Sequence, residues 1–138
     1  MGSHRDTITV TTSGRIQAVN VTPQVSERLG ASPVREGLLC VSVRHATCAL
    51  ALNEDESGLM EDLGRVAATM LDPIRGSRPF LHDRIDDNAQ AHLTACVVGA
   101  SVTVPVEGGR MVLGSWQSIL LIELDGPRSR KVDLTVVG

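Results

Sequence analysis

The sequence predicts an α+β fold, and three observations carry that prediction. Strand-like alternation runs from Gly37 to His45, where Leu39, Val41, Val43 and His45 fall on one face and Cys40, Ser42 and Arg44 on the other. Helical spacing follows, with Leu59, Leu63, Val66, Ala67 and Met70 recurring along one stripe that an amphipathic helix must bury. The stretch Ser101–Glu123 reads as two apolar strands joined by a Gly108-Gly109 turn. Along the second, Gln117, Ile119, Leu121 and Glu123 share one face and Trp116, Ser118, Leu120 and Ile122 the other. A strand apolar on both faces is normally covered on both, so Gln117 and Glu123 must be hydrogen-bonded or stand at the rim of a cavity.

Taken in order, Met1–His4 resembles an expression-tag remnant, so residues 1–5 are expected to be disordered and residues 6–138 to form a single domain. Thr7–Ser13 is rich in β-branched residues and alternates as a strand does, and Gly14 turns it into a second strand over Arg15–Val19. Thr22-Pro23 reads as an N-cap followed by proline at the first helical position, opening a short helix that Gly30 ends. Cys48–Asn53 is a strand whose end delivers Asn53 and Glu54. Asp55, Glu56 and Ser57 suit the positive end of the next helix, which Pro73 stops. Asp72–Asp87 is loop-like and carries Arg75, Arg78, His82 and Arg84. Asp87–Gly99 is a helix that stacks Asn88 and His92 on one face and directs Leu93 and Val97 into the core. Gly126-Pro127 makes a turn, and Val132–Val137 closes the chain as a strand.

Composition narrows the function classes. At 138 residues and 42% hydrophobic, the chain has a core large enough to fold without disulfides or a structural metal. A net charge of −3, one Phe, one Trp and no Tyr argue against nucleic acid, since neither a basic face nor a stacking platform is available. No run reaches the ~18 apolar residues of a membrane span and no signal-peptide core precedes the first strand, so a soluble, cytoplasmic protein is expected. Cys40, Cys48 and Cys96 contain no C-x-x-C pair and read as reduced, buried residues, although Cys48 stands near His45 and could serve as a nucleophile if a cationic neighbour lowers its pKa.

The pattern Ser101-x-x-Val104-x-Val106-x-x-Gly109, then Gly114-x-Trp116-Gln117 and a final Glu123, resembles the signature of the YjbQ (UPF0047) family. Upstream, His45-Ala46-Thr47-Cys48-Ala49-Leu50 leading to Asn53-Glu54, Phe80-Leu81-His82, and Asp87-Asn88 through Ala91-His92-Leu93 are similar to further family segments, so the resemblance covers Thr7–Val137. Ala46, Cys48 and Phe80 depart from the family's threonine, alanine and tyrosine. The resemblance implies antiparallel strands with helices packed against them, assembled as a homotrimer, and a label of secondary thiamine-phosphate synthase. That activity joins hydroxymethylpyrimidine diphosphate to thiazole phosphate.

In that frame His45, Glu54, His92 and Glu123 are the candidate catalytic residues, and Asn53, Asn88, Arg78, Arg84 and Gln117 the candidate substrate-binding ones. His45, His82 and His92 could hold zinc with an open position, and Mg²⁺ could accompany the diphosphate. Lone histidines in a polar pocket are more often hydrogen-bonded than metal-bound, and the wide spacing forms no local metal motif. The alternatives are a metal-assisted hydrolase of a small metabolite and a non-enzymatic trimer that holds a phosphorylated ligand. The (β/α)₈ scaffold needs at least ~200 residues, so this chain is not built on it.

Overall fold

The computed structural model describes all 138 residues. Its elements are β1 (Ser3–Thr11), β2 (Gln17–Asn20), α1 (Thr22–Gly30), β3 (Gly37–Val43), β4 (Cys48–Asn53), α2 (Ser57–Thr69), α3 (Asp72–Arg75), a 3-10 turn (Leu81–Arg84), α4 (Ala89–Val98), β5 (Ser101–Glu107), β6 (Arg110–Met111), β7 (Ser118–Glu123) and β8 (Ser129–Val137). The strands form two antiparallel sheets, one ordered β1-β8-β3-β5-β6 and the other β2-β7-β4. The α+β class with antiparallel strands is therefore what the chain adopts.

Two apolar layers hold the sheets and helices together. The alternating row of β3 buries Leu39, Val41 and Val43, which meet Ile119 and Leu121 of β7, Leu50 of β4 and Val25 and Leu29 of α1 in the core between the sheets. The opposite face of β7 presents Leu120 and Ile122 to Ala67 of α2 and Ala91 of α4, with Leu63 and Ala95 packed around them. β7 is thus covered on both faces, as its two-sided apolar pattern requires.

Several elements differ from the sequence reading, each for a local reason. Ser3, His4 and Arg5, expected to be disordered, extend β1: Ser3 pairs with Val137 and His4 with Val136 of β8. The second half of the Ser101–Glu123 stretch is not one strand. Arg110-Met111 pairs with β5, Val112–Gln117 crosses over without strand structure, and Ser118–Glu123 joins the other sheet between β2 and β4. The Gly108-Gly109 turn is as read: both glycines have positive φ, and a Cβ at Gly109 would collide with the Arg35 guanidinium. Thr22 is not the cap of α1. Val21 holds that position, and the Thr22 hydroxyl accepts from the Ile119 amide at 2.7 Å, tying α1 to β7. Glu56 caps α2 through bonds from the amides of Gly58 and Leu59. Pro73 does not end that helix; it sits in the first turn of α3, inside the segment expected to be loop throughout.

Candidate functional site

At its end near β8, β7 delivers Glu123 into a buried ion pair. Glu123 is fully buried and Arg130 is 3% exposed. The Arg130 guanidinium donates to both carboxylate oxygens, at 2.5 Å from Nη2 to Oε2 and 3.0 Å from Nε to Oε1. Thr12 Oγ1 and the amides of Leu124 and Asp125 complete the shell. Burial by itself raises the Glu123 pKa, but the bonds from Arg130, Thr12 and the Asp125 amide outweigh it and hold the carboxyl below its ordinary value. A carboxylate saturated in this way has no lone pair left to move a proton. Glu123, a candidate acid or base from sequence, is therefore a structural anion. Gly126 follows for a steric reason, since a Cβ there would lie 2.7 Å from Glu123 Cγ and 2.9 Å from Thr12 Oγ1.

The Arg130 guanidinium also donates to the carbonyl and hydroxyl of Thr47, fixing the turn between β3 and β4 that carries His45. His45 Nε2 accepts the Lys131 amide at 2.9 Å. Burial first, and then the nearby Arg130 charge, push the His45 pKa below its ordinary value. Cys48 is 1% exposed, and burial pushes its thiol up to about 11 despite Arg130, so the nucleophile reading of Cys48 is overturned.

A second polar chain runs from the 3-10 turn into α4. Asn88 precedes the first helical residue, and its side chain is committed elsewhere than to a cap. Asn88 Nδ2 donates to Asp125 Oδ2 at 3.0 Å, and its Oδ1 lies 3.1 Å from His82 Nε2. The Asp125 carboxylate also receives Arg128 Nη2 at 3.0 Å, with Arg15 at 3.8 Å. Burial raises the Asp125 pKa, and the bonds from Asn88 and Arg128 with the charges of Arg128 and Arg15 bring it below the ordinary value. His92, one turn along α4 from Asn88, meets the His82 ring edge to face at a centroid separation of 4.7 Å.

His92 joins two hollows. One, lined by Phe80, Leu81, His82, Ala89, His92 and Leu93, has a volume of about 470 Å³. The other, of about 400 Å³, is bounded by His45, Cys48, His92, Cys96 and Ala100 among others. Phe80 and Leu81 also wall a third hollow with Arg75 and Arg78. Shared wall residues thus set an arginine end, a central pair of histidines and His45 along a row of three adjoining hollows, which together form the trough considered below. Arg84 lines none of these three.

Other expected site residues lie elsewhere. In the β4–β7 pairing Cys48 faces Glu123 and Asn53 faces Ser118, so Asn53, Glu54 and Gln117 stand at the far end of these strands. Six residues of strand separate the two ends by about 17 Å. Asn53 is spent on the Glu54 amide and Gln117 on the Gly114 amide. Within one chain these three residues do not reach the histidines. Trp116, assigned by alternation to the strand face shared with Leu120 and Ile122, lies before that strand begins and is 74% exposed in the single chain. Leu93 and Val97, expected in the core, are 40% and 64% exposed, because α4 packs through Ala91, Thr94 and Ala95 instead.

The metal set expected from His45, His82 and His92 is not assembled in the chain: no group of three or more His, Cys, Asp or Glu side chains is placed to hold a metal ion. Two of the three rings already spend a nitrogen on Lys131 and Asn88. Sequence reasoning missed Arg130, Asp125 and Thr12, which carry no motif, and the part played by Thr47, which stands inside the His45–Leu50 segment. The one available signal was Glu123 itself, whose position in an apolar strand requires hydrogen-bonding partners from elsewhere in the chain.

These charge arrangements set an acid response. The His45 pKa is lowered from 6.5, so the unfolded chain takes up the proton first; the stability held by neutral His45 is complete above about pH 6.5 and declines as pH falls toward the lower folded value. Glu123 and Asp125 are lowered from 4.5 and 3.8, and Asp133 of β8 is lowered from 3.8 by the hydrogen bond it accepts from Arg44, so their contribution is present above those values and is lost as pH falls further through the folded ones. Thermal melts across pH should show two stages of decline, and His45→Gln should remove the upper one only.

Comparison with known proteins follows the same outline. The family model described as UPF0047 protein YjbQ-like matches residues 6–138. A UPF0047 protein of Archaeoglobus fulgidus is 45% identical over 125 residues, covering 91% of this chain and 94% of the relative. Another, from Methanothermobacter thermautotrophicus, is 43% identical over 127 residues, covering 92% and 87%. Among solved structures, a YbjQ-like protein of unknown function from Sulfolobus solfataricus superposes with a TM-score of 0.92 at 39% identity, covering 99% of this chain and 98% of that one. A hypothetical protein from Aeropyrum pernix gives 0.91 at 43% identity, covering 98% of each chain.

Proposed function

Because the chain belongs to the YjbQ-like UPF0047 family, we propose that its trough holds a small phosphorylated metabolite and performs a transfer of the thiamine-phosphate synthase type. The observation that carries the reading is the row of adjoining hollows, which share Phe80, Leu81 and His92 and set Arg75 and Arg78 at one end and His82, His92 and His45 along the rest. In that transfer the thiazole nitrogen forms a bond to the methylene carbon of hydroxymethylpyrimidine diphosphate. The carbon–oxygen bond to the diphosphate breaks, and pyrophosphate leaves with the electron pair. Guanidinium groups stabilise the negative charge that builds on the leaving group, and imidazoles orient the pyrimidine by hydrogen bonds. The metal-assisted hydrolase alternative has no ligand set within one chain to stand on.

Thermal melts with pyrophosphate, hydroxymethylpyrimidine diphosphate and thiazole phosphate, followed by chromatography of the mixed reaction, test the reading. Stabilisation by the phosphorylated ligands with formation of thiamine phosphate is expected. Stabilisation without product leaves a binding protein and removes the transferase, and no stabilisation removes both.

Assembly as a homotrimer belongs to the same proposal. Leu93 and Val97 stand one turn apart on the exposed side of α4, and Leu81 and Trp116 are also exposed, which supplies apolar surface for a neighbouring copy. A neighbour could also bring its Asn53, Glu54 and Gln117 end toward the histidines. Light scattering at micromolar concentration should give about three times the chain mass of 14.7 kDa. Trp116→Ala should weaken that assembly while changing the stability of the isolated chain by no more than ~0.5 kcal/mol. A monomer that persists at that concentration refutes the trimer.

A further inference from the structure

We infer that His45 and His82 are locked in opposite tautomers, so that the trough offers its ligand an N–H donor at the His45 end and a bare ring nitrogen at the His82 end, with Asp125 as the positioning residue for His82. The inference rests on the functional reading of the trough and goes beyond it by assigning the polarity of what binds there.

The hydrogen-bond inventory leaves one solution at each ring. A backbone amide only donates, so the Lys131 N–H at 2.9 Å requires a lone pair on His45 Nε2. The neutral ring then carries its proton on Nδ1, the nitrogen that remains for a ligand. At His82 the logic starts two residues away. Asp125 is 8% exposed and paired with Arg128, so its carboxylate only accepts and the Asn88 side chain must turn its NH₂ toward it. That orientation leaves Asn88 Oδ1 facing His82 at 3.1 Å. A carbonyl oxygen only accepts, so His82 Nε2 must hold the proton, and Nδ1 is left as the acceptor.

The two ends of the trough therefore select different groups. An unprotonated phosphoryl oxygen suits the arginine hollow or the His45 N–H and finds no partner at His82 Nδ1. That nitrogen takes a proton-bearing atom, such as a ring amine or a hydroxyl, and is the position from which a proton could be accepted. Burial acts in the same direction at His45, where it keeps the ring neutral.

Long-range proton–nitrogen correlation of the imidazoles, recorded on the ¹⁵N-labelled full chain above the histidine titration range, reads both tautomers directly. His45 is expected in the Nδ1–H form, which is the minor tautomer of a free histidine, and His82 wholly in the Nε2–H form. Asp125→Asn should turn His82 into a mixture, since Asn88 can then present either end of its amide, and should leave His45 unchanged. If Asp125→Asn does not fold, Asn88→Ala keeps the Asp125–Arg128 pair and should free the His82 tautomer in the same way. His45 in the Nε2–H form, or a His82 ratio identical in wild type and Asn88→Ala, overturns the inference. Locked tautomers in a protein that no phosphorylated ligand stabilises refute the functional reading alone, and free tautomers in a protein that binds such ligands tightly refute this inference alone.

Discussion

Glu123→Gln is expected to destabilise the fold by about 3–5 kcal/mol, the largest effect of any single replacement among the polar residues of the site. The carboxylate is fully buried against an Arg130 that is 3% exposed, so removing its charge leaves a guanidinium inside the protein with no counter-ion. The loss has a local route as well. Arg130 holds the Thr47 carbonyl and hydroxyl, and a displaced guanidinium would loosen the turn on which His45 stands. The pair is not required to be ionic for stability alone. The double variant Glu123→Leu with Arg130→Met removes both charges at once and should recover most of the loss, because desolvating two ions cancels much of their attraction. Denaturant unfolding of the three variants measures the cycle. Equal losses in the single and double variants would show that packing volume, not charge pairing, sets the effect.

Arg78→Ala is expected to weaken pyrophosphate binding about ten-fold or more while leaving the melting temperature unchanged, and the same holds for Arg75→Ala. A charge-assisted bond to a phosphate is worth about 1.5–3 kcal/mol, whereas an exposed ion pair contributes about 0–1 kcal/mol to stability. Arg75 tests the contrast well, since its only ion pair is with Asp72 three residues earlier and both partners are nearly half exposed. Arg84→Ala serves as the comparison: Arg84 lies in the same segment but outside the arginine hollow, so its loss should change affinity much less. Calorimetric titration with pyrophosphate gives the affinities. Equal effects at all three positions would indicate a diffuse attraction of the anion rather than seating in the hollow.

The candidate site was legible where a residue's role depends on its own neighbours in the chain. The helical spacing stacks Asn88 and His92 on one face, and His82, which the sequence places in the preceding loop, meets both because only Ile85–Asn88 separate its 3-10 turn from α4. Asn53, Glu54 and Gln117 were grouped with the histidines on family pattern, and the strand register separates them from the histidines within one chain. Arg130 and Asp125 carry no spacing signal at all. They matter because the turn after β7 folds them back onto Glu123 and Asn88, and no periodicity within Ser118–Glu123 reports that.

Local periodicity was enough to determine the α+β class, the burial of the Leu39–Val43 row, a short first helix that ends at Gly30, Cys48–Asn53 as a strand and the Gly108-Gly109 turn. Each depends on side-chain alternation or on residues whose backbone preferences act within a few positions. Tertiary structure alone decided that the chain leaves one sheet after Met111 and enters the other at Ser118, because both halves of that stretch are equally apolar and only strand pairing distinguishes them. It also decided which side of α4 is buried. Leu93 and Val97 are more hydrophobic than Ala91 and Ala95, yet the sheet's close approach admits only the small side chains, and the large ones are left at the surface beside the histidine trough.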